Sequence, residues 1–259
     1  MLSKFLKKGT LNCKPTIKKS VLLKEKMITK AELDILIALQ KNNNREWFTE
    51  HKKEFQQHEK KAKAFFQEIY DELGKQDSLE KMQVFRIYRD VRFSKDKSPY
   101  KNHFSVGFTR TKPLLRGGYY LHIEPGASFV GGGFWDPNAE DLNRIRKEFE
   151  MDDEEIRSII SDPTFKAFFG TLEGEELKTA PKGFDKTHPA IDLIRKKQYL
   201  LSRSFTDKEV TSPDFKKEVL ASFQAMRPFF DYMSEVLSTN LNGEPCLLYT
   251  SDAADEGLG

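Results

Sequence analysis

Two hydrophobic rhythms run along the chain. Leu33, Leu36, Ile37 and Leu39 form a mostly apolar helical face, and Thr29 followed by Glu32 has the spacing of a capping box, so a helix is predicted over Lys30–Lys41. Asn42, Asn43 and Asn44 interrupt it, because Asn side chains compete for backbone hydrogen bonds. A second, long helix follows over Arg45–Leu73: Phe48, Phe55, Ala62, Phe65, Phe66, Ile69 and Leu73 recur every three or four residues, and Gly74 can end it. The rhythm then shortens to two. Over residues 83–93, Phe85, Ile87, Val91 and Phe93 alternate with Arg86, Tyr88, Asp90 and Arg92, with Arg89 breaking the apolar side; this reads as a strand. Further strands are expected over 104–110, 119–124, 127–130 and 199–205, the one over 127–130 ending at the run Gly131, Gly132 and Gly133. Helices are predicted to start at Asp136-Pro137, at Asp152 or Asp153, at Asp162-Pro163 and at Ser212-Pro213, the last running through Phe223 and Phe230 to Leu237 with Pro228 inside it. Residues 171–189 read as irregular. Short links between successive strands point to an α+β fold: an antiparallel sheet of about four to five strands flanked by long N- and C-terminal helices.

The ends follow neither rhythm. Residues 1–26 carry eight lysines and one glutamate, a surplus of seven, and read as a basic leader or disordered extension. A secretory signal is not expected there, since no apolar run follows the lysines. Residues 245–259 resemble translated vector sequence and read as a non-native tail, leaving residues 27–244 as one globular domain. Against a whole-chain charge of +3, the residues after the basic segment sum to −4, so anion binding must be local rather than a bulk property. Twenty-one Phe predict an aromatic core, no run suits a membrane-spanning helix, and two cysteines without metal-ligand spacing fit a reducing, cytoplasmic compartment.

Chemistry concentrates after the second helix. Arg86, Tyr88, Asp90 and Arg92 would share one strand face at roughly 6.5–7 Å spacing, where two guanidiniums suit a phosphate or carboxylate. The plainer reading is that Asp90 pairs with these arginines in a structural network. Arg89, on the apolar side, needs a partner such as Glu46 or Asp96. The following loop offers Lys95, Lys97, Tyr100 and Lys101, either as a lid on an anion or as a solvated turn. Asn43 and Arg45 stand at a helix N-terminus, which favours anions, although Asn43 or Asn44 is as readily a cap. His122 with Glu124 could act in acid–base chemistry, or be hydrogen-bonded filler; His188 reads as a loop-fixing residue. Two isolated histidines do not make a metal site, and none is expected. The glycine run lacks a dinucleotide fingerprint and reads as a tight turn or bulge rather than a phosphate cradle. No motif implies a cofactor.

Four segments together resemble a known family: NNNREWF at 42–48, RIYRDVRFSKDKSPYKNHF at 86–104, GGYYLHIEPGASFVGGGFWDP at 117–137 and PKGFDKTHPAIDLIRKKQY at 181–199. In this order they look like the family called domain of unknown function 2461, over about Met27 to Leu241. The resemblance implies one soluble domain and assigns no catalytic residue. From the residues themselves, the leading expectation is a domain that binds a small anionic ligand through Arg86, Tyr88, Arg89, Asp90, Arg92 and the lysine loop. A hydrolase of phosphorylated substrates using Asp90, His122 or Glu124 is one alternative. A nucleic-acid-binding module stacking bases on Tyr100 and Tyr120 is another. Nothing in the pattern fixes the oligomeric state.

Overall fold

A computed structural model describes residues 27–245. Helix α1 (Lys30–Lys41) starts as its capping box requires: the Glu32 carboxylate accepts the Thr29 backbone N–H at 2.9 Å and the Thr29 hydroxyl at 2.5 Å. Helix α2 (Arg45–Leu73) is capped by Asn44, whose side chain accepts from the Trp47 N–H at 2.9 Å, and it ends at Gly74. Its buried stripe is the predicted one, Phe48 through Leu73, while lysines and glutamates cover the opposite side.

Five strands follow: β1 (Leu79–Val84), β2 (Phe104–Arg110), β3 (Gly118–Ile123), β4 (Ser128–Phe134) and β5 (Tyr199–Phe205). They pair in sequence order, each antiparallel to the next. Val106, Leu121 and Val130 align across the sheet, and so do Phe108, Tyr119, Gly132 and Leu201. These rows form the buried face, packed under α2 and the long C-terminal helix α8 (Phe215–Ser238). Alternation sends the other rows, Gly107–Tyr120–Gly131–Ser202 and Ser105–His122–Phe129–Ser204, to the opposite face. Between β4 and β5 lie α3 (Ala139–Met151), α4 (Glu154–Ser161), α5 (Pro163–Phe169) and the single turn α6 (Ile191–Ile194); α7 (Asp207–Val210) precedes α8. Fifteen of the 21 Phe are buried, so the core is aromatic as expected. The architecture is therefore α+β, with helices at both ends of the chain and a five-stranded antiparallel sheet between. No helix among the described residues is long and apolar enough to cross a membrane. The basic segment 1–26 lies outside the described residues, as does the tail beyond residue 245.

The expected strand over 83–93 does not form. β1 comes earlier and ends at Val84 opposite Val106, which leaves residues 85–103 as the connection between β1 and β2. Alternating apolar residues cannot hold a strand without a neighbour for the ladder and a cover for the face. Ile87 is buried, but Phe93 is 96% exposed. Asp90 also folds the chain locally, accepting from the Arg92 backbone N–H at 3.2 Å. The connection is pinned as an irregular hairpin by Arg89 N–H to the Pro99 carbonyl at 3.0 Å and Lys101 N–H to the Ile87 carbonyl at 2.7 Å.

The glycine run is neither turn nor cradle; it lies within β4. A Cβ on Gly132 would come within 2.6 Å of Met226 Sδ and 2.8 Å of Phe230 Cζ, so the missing side chain lets α8 sit close to the sheet. Gly133 has φ +127°, and a Cβ there would meet the Tyr199 carbonyl oxygen at 2.2 Å. Because β4 runs on to Phe134, α3 starts later than Asp136-Pro137 would have it, at Ala139 with Asn138 as its cap. Helix α8 likewise starts at Phe215, after a turn that joins the Phe215 N–H to the Ser212 carbonyl. The short α7 was not anticipated; Thr206 and Glu209 close it in a capping box.

Candidate functional site

Of the residues singled out in the sequence, Asn43, Arg89, Tyr100 and Lys101 line one cavity, whereas Arg45, Arg86, Tyr88, Asp90, Arg92, Lys95 and Lys97 are not among its lining. Arg92 donates to Asp90 at 2.7 Å, in the open, and this pairing holds the Asp90 carboxyl below its usual range. Arg89 finds the anticipated partner in Asp96, whose carboxylate is further held ionised by Ser98. Lys97 Nζ donates to the Val91 carbonyl at 2.9 Å. Arg86, Lys95 and Arg45 are exposed. Tyr88 lies half out of the surface, its ring 5.5 Å from that of Tyr100. Tyr100 itself is only 6% exposed and stacks on Phe48 at 4.1 Å, so it is core rather than a platform for bases. Asn43 spends both ends of its amide on the Tyr100 backbone, donating to the carbonyl at 2.9 Å and accepting from the N–H at 3.1 Å. Lys101 is different. Its amine stands 5.6 Å from the centre of the Phe85 ring, at the rim of the open sheet face.

That face carries the concentrated chemistry. His103 ends the β1–β2 connection, His122 sits in β3, and Glu124 lies one residue past its end. The pairing of Phe104 with Ile123 brings the residues next to them, His103 and Glu124, alongside each other. His122 Nε2 is 2.7 Å from Glu124 Oε2, and His122 Nδ1 is 3.1 Å from the Tyr120 hydroxyl. A carboxylate only accepts, so Nε2–H donates to Glu124 and Nδ1 accepts from Tyr120. Asn102 donates to the other oxygen of Glu124 at 2.6 Å. The His103 ring lies 4.0 Å from the His122 ring, and its Nδ1 is 4.0 Å from Glu124 Oε2. Burial first, then His122, Lys101 and Arg89, lower the His103 imidazole to about 3. Burial also lowers His122, against the opposing pull of Glu124. Both rings are thus neutral near pH 7.

Beside this cluster a groove of about 790 Å³ runs over the sheet. Its floor is small, with Gly118, Gly131, Gly133, Ser202 and Ser204, and its walls are Phe85, Tyr120, Phe129 and Trp135, the last 71% exposed. The glycines leave their part of the floor without side chains. His122 lines both the groove and a smaller adjoining cavity of about 500 Å³ that also contains Lys101, Asn102, His103 and Glu124. A separate cavity of about 540 Å³ lies against α4, α5 and α8, lined by Ile159, Phe165 and Phe168. Its one carboxylate, Asp162, is engaged in capping α5.

Sequence reasoning missed His103. The expectation of no metal site counted His122 and His188, and His188 accepts from the Ala190 N–H far along the chain. The strand register would have exposed His103 as the neighbour of Glu124, but periodicity does not fix register. Also missed was the buried pair of Arg110 and Asp77 at 2.8 Å, joined by the Tyr119 hydroxyl donating to Asp77 at 2.5 Å. That pair ties the end of α2 to β2 and β3 on the covered side and is structural.

No curated protein and no solved structure matches the chain. Residues 31–232 match the family described as "Conserved hypothetical protein (DUF2461)", which spans the sheet, the site and most of both long helices, and the chain belongs to that family.

Proposed function

We propose that this protein binds a small organic anion, with a flat apolar body in the groove and a phosphate or carboxylate reaching Lys101 and the histidine pair. The observation that carries this reading is that His122 lines both an aromatic-walled groove and a polar pocket that holds Lys101 and Arg89. Binding sites of this kind combine an apolar lining with a few convergent polar groups. Within the cationic set expected from sequence, this reading rests on Lys101 and Arg89, which line the pocket, rather than on Arg86 and Arg92. A thermal-shift screen of the chain with nucleotides, sugar phosphates and aromatic carboxylates tests it. Ligand at a hundredfold excess over Kd adds about 2.7 kcal/mol of stability. The shift should vanish in Lys101→Met and in Gly131→Leu, which fills the groove floor, and should persist in Arg86→Met. Retention in both of the first two variants would sink the proposal.

A second reading has its own support. Tyr120, His122 and Glu124 form a chain of hydrogen bonds beside the groove, the arrangement of an oriented general base. Under that reading the protein hydrolyses a phosphorylated substrate, and turnover on a phosphoester panel should disappear in His122→Ala while thermal stability stays near that of the parent. Absence of turnover across the panel would remove it.

A further inference from the structure

We infer that His103, His122 and Glu124 form a binding site for a divalent first-row transition metal ion, open on the side that faces the smaller cavity beside the groove. One donor atom from each of the three residues lies within 4.8 Å of the others. In a tetrahedral site with bonds of about 2.0–2.2 Å, donors stand roughly 3.3–3.5 Å apart. The separations of 2.7 Å for His122–Glu124 and 4.0 Å for His103–Glu124 bracket that value, so modest side-chain rotations would bring all three onto one ion. His122 is held within the β2–β3 ladder, and His103 and Glu124 flank its terminal Phe104–Ile123 pair.

The surroundings match those of a metal ligand set. Ligating imidazoles and carboxylates are held by outer hydrogen bonds, and here Tyr120 holds the far nitrogen of His122 while Asn102 holds the far oxygen of Glu124. On binding, His122 would give up the proton on Nε2 and carry it on Nδ1, where Tyr120 accepts it. His103 is the more telling residue. Its half-buried ring makes no hydrogen bond among the described residues, yet it lies against His122. A His122–Glu124 pair serving the fold alone has no need of that second imidazole.

Two nitrogens and one oxygen suit zinc, cobalt or iron and do not suit calcium or magnesium, which want oxygen ligands. Three protein ligands with a cavity in front leave a coordination position for water or substrate. Lys101 opposes a lone cation and favours an anion as the fourth ligand. The inference stands whether or not the groove binds an organic anion, since an ion could bind with the groove empty.

The test is calorimetric titration of the chelator-treated full chain with Zn²⁺, repeated with Co²⁺ while its visible absorption is followed. One ion per chain is expected, with a Co²⁺ spectrum of four- or five-coordinate geometry. Affinity should fall at least tenfold in His103→Ala and in Glu124→Gln, and be unchanged in His51→Ala. Gly131→Leu should keep the metal even if it loses an organic ligand, which separates failure of this site from failure of the groove. Should Glu124→Gln unfold, His103→Ala decides alone, because that ring makes no hydrogen bond to lose. Absence of Zn²⁺ binding at micromolar concentration, or binding unaffected by His103→Ala, overturns the inference.

Discussion

Glu32 is a buried carboxylate with a full set of partners: the Thr29 N–H and hydroxyl, His58 Nδ1 at 2.8 Å and Lys61 Nζ at 3.5 Å. Burial pushes its pKa up, but the hydrogen bonds from Thr29 and His58 outweigh it and leave the carboxyl below its ordinary value of 4.5. The folded state therefore prefers the ionised form, so the stabilisation is complete above about pH 4.5 and is lost as pH falls through the folded value. Glu32→Gln should cost about 1–3 kcal/mol at pH 7 and flatten the decline of melting temperature below pH 4.5; an unchanged acid limb would refute the assignment. Arg110, 1% exposed, is the counterpart on the other side of the core, with Asp77 at 2.8 Å and Asp231 at 2.5 Å. Its Nε is close to Asp77 yet poorly aimed for a hydrogen bond, so the pair acts mainly through charge. Arg110→Met takes the nearer of two arginines from the buried Asp77, leaving Arg227 at 3.6 Å and the Tyr119 hydroxyl, and should cost about 3 kcal/mol in urea unfolding. Adding Asp77→Asn should return part of that loss; strict additivity would mean the two charges are not coupled. At this scale, legibility depended on distance along the chain. Asp96 was readable as the partner of Arg89 because seven residues separate them. Asp77 was not readable as the partner of Arg110, which lies on a different strand across a fold still to be determined.

Elements were more legible, and their errors share one cause. The helices over Lys30–Lys41 and Arg45–Leu73 follow directly from period and caps, since a helix satisfies its own backbone. A strand does not. The alternation at 85–93 is broken only at Arg89, but register places the segment in a connection. Conversely, Gly131, Gly132 and Gly133 read as a turn because nothing in the sequence reveals what approaches a strand from each side. The structure makes the two sides experimentally distinct. A Cβ on Gly131, on the open face, would meet only the Phe129 ring at 3.4 Å and a carbonyl at 3.6 Å. A Cβ on Gly132, under α8, would collide with Met226 and Phe230. Gly132→Ala should therefore cost about 1–3 kcal/mol from overpacking, while Gly131→Ala stays within about 0.5 kcal/mol of the parent. Equal effects in denaturant titrations would mean that α8 does not press on β4 as described.

In the whole molecule, helices cover one face of the sheet and leave the other to the groove and the histidine cluster, so stability and chemistry occupy opposite sides of the same strands. The 85–103 connection crosses between them, carrying Lys101 and His103 to the open face while Tyr100, next to both, is locked in the core against Phe48. Besides its own hydrogen bonds at Ile87 and Pro99, the crossing is held by Asn43, between α1 and α2, which binds both backbone groups of Tyr100. Sequence reading placed Asn43 among ligand-binding residues. In the structure it lines the smaller cavity and also holds the Tyr100 backbone, and only the tertiary fold connects it to His122 and Glu124. Removing this clamp should loosen the connection without melting the sheet, because the β2–β3 and β3–β4 ladders do not depend on it. Asn43→Ala is thus expected to speed hydrogen exchange at the Tyr100 and Lys101 amides by at least tenfold while amides of β3 and β4 keep their protection. Zn²⁺ affinity should fall in the same variant although no metal ligand has been touched. If exchange instead rises evenly over the whole sheet, Asn43 supports the fold globally. If it rises nowhere, the connection is held by its own hydrogen bonds at Ile87 and Pro99, and the geometry of His103 owes nothing to the helical layer.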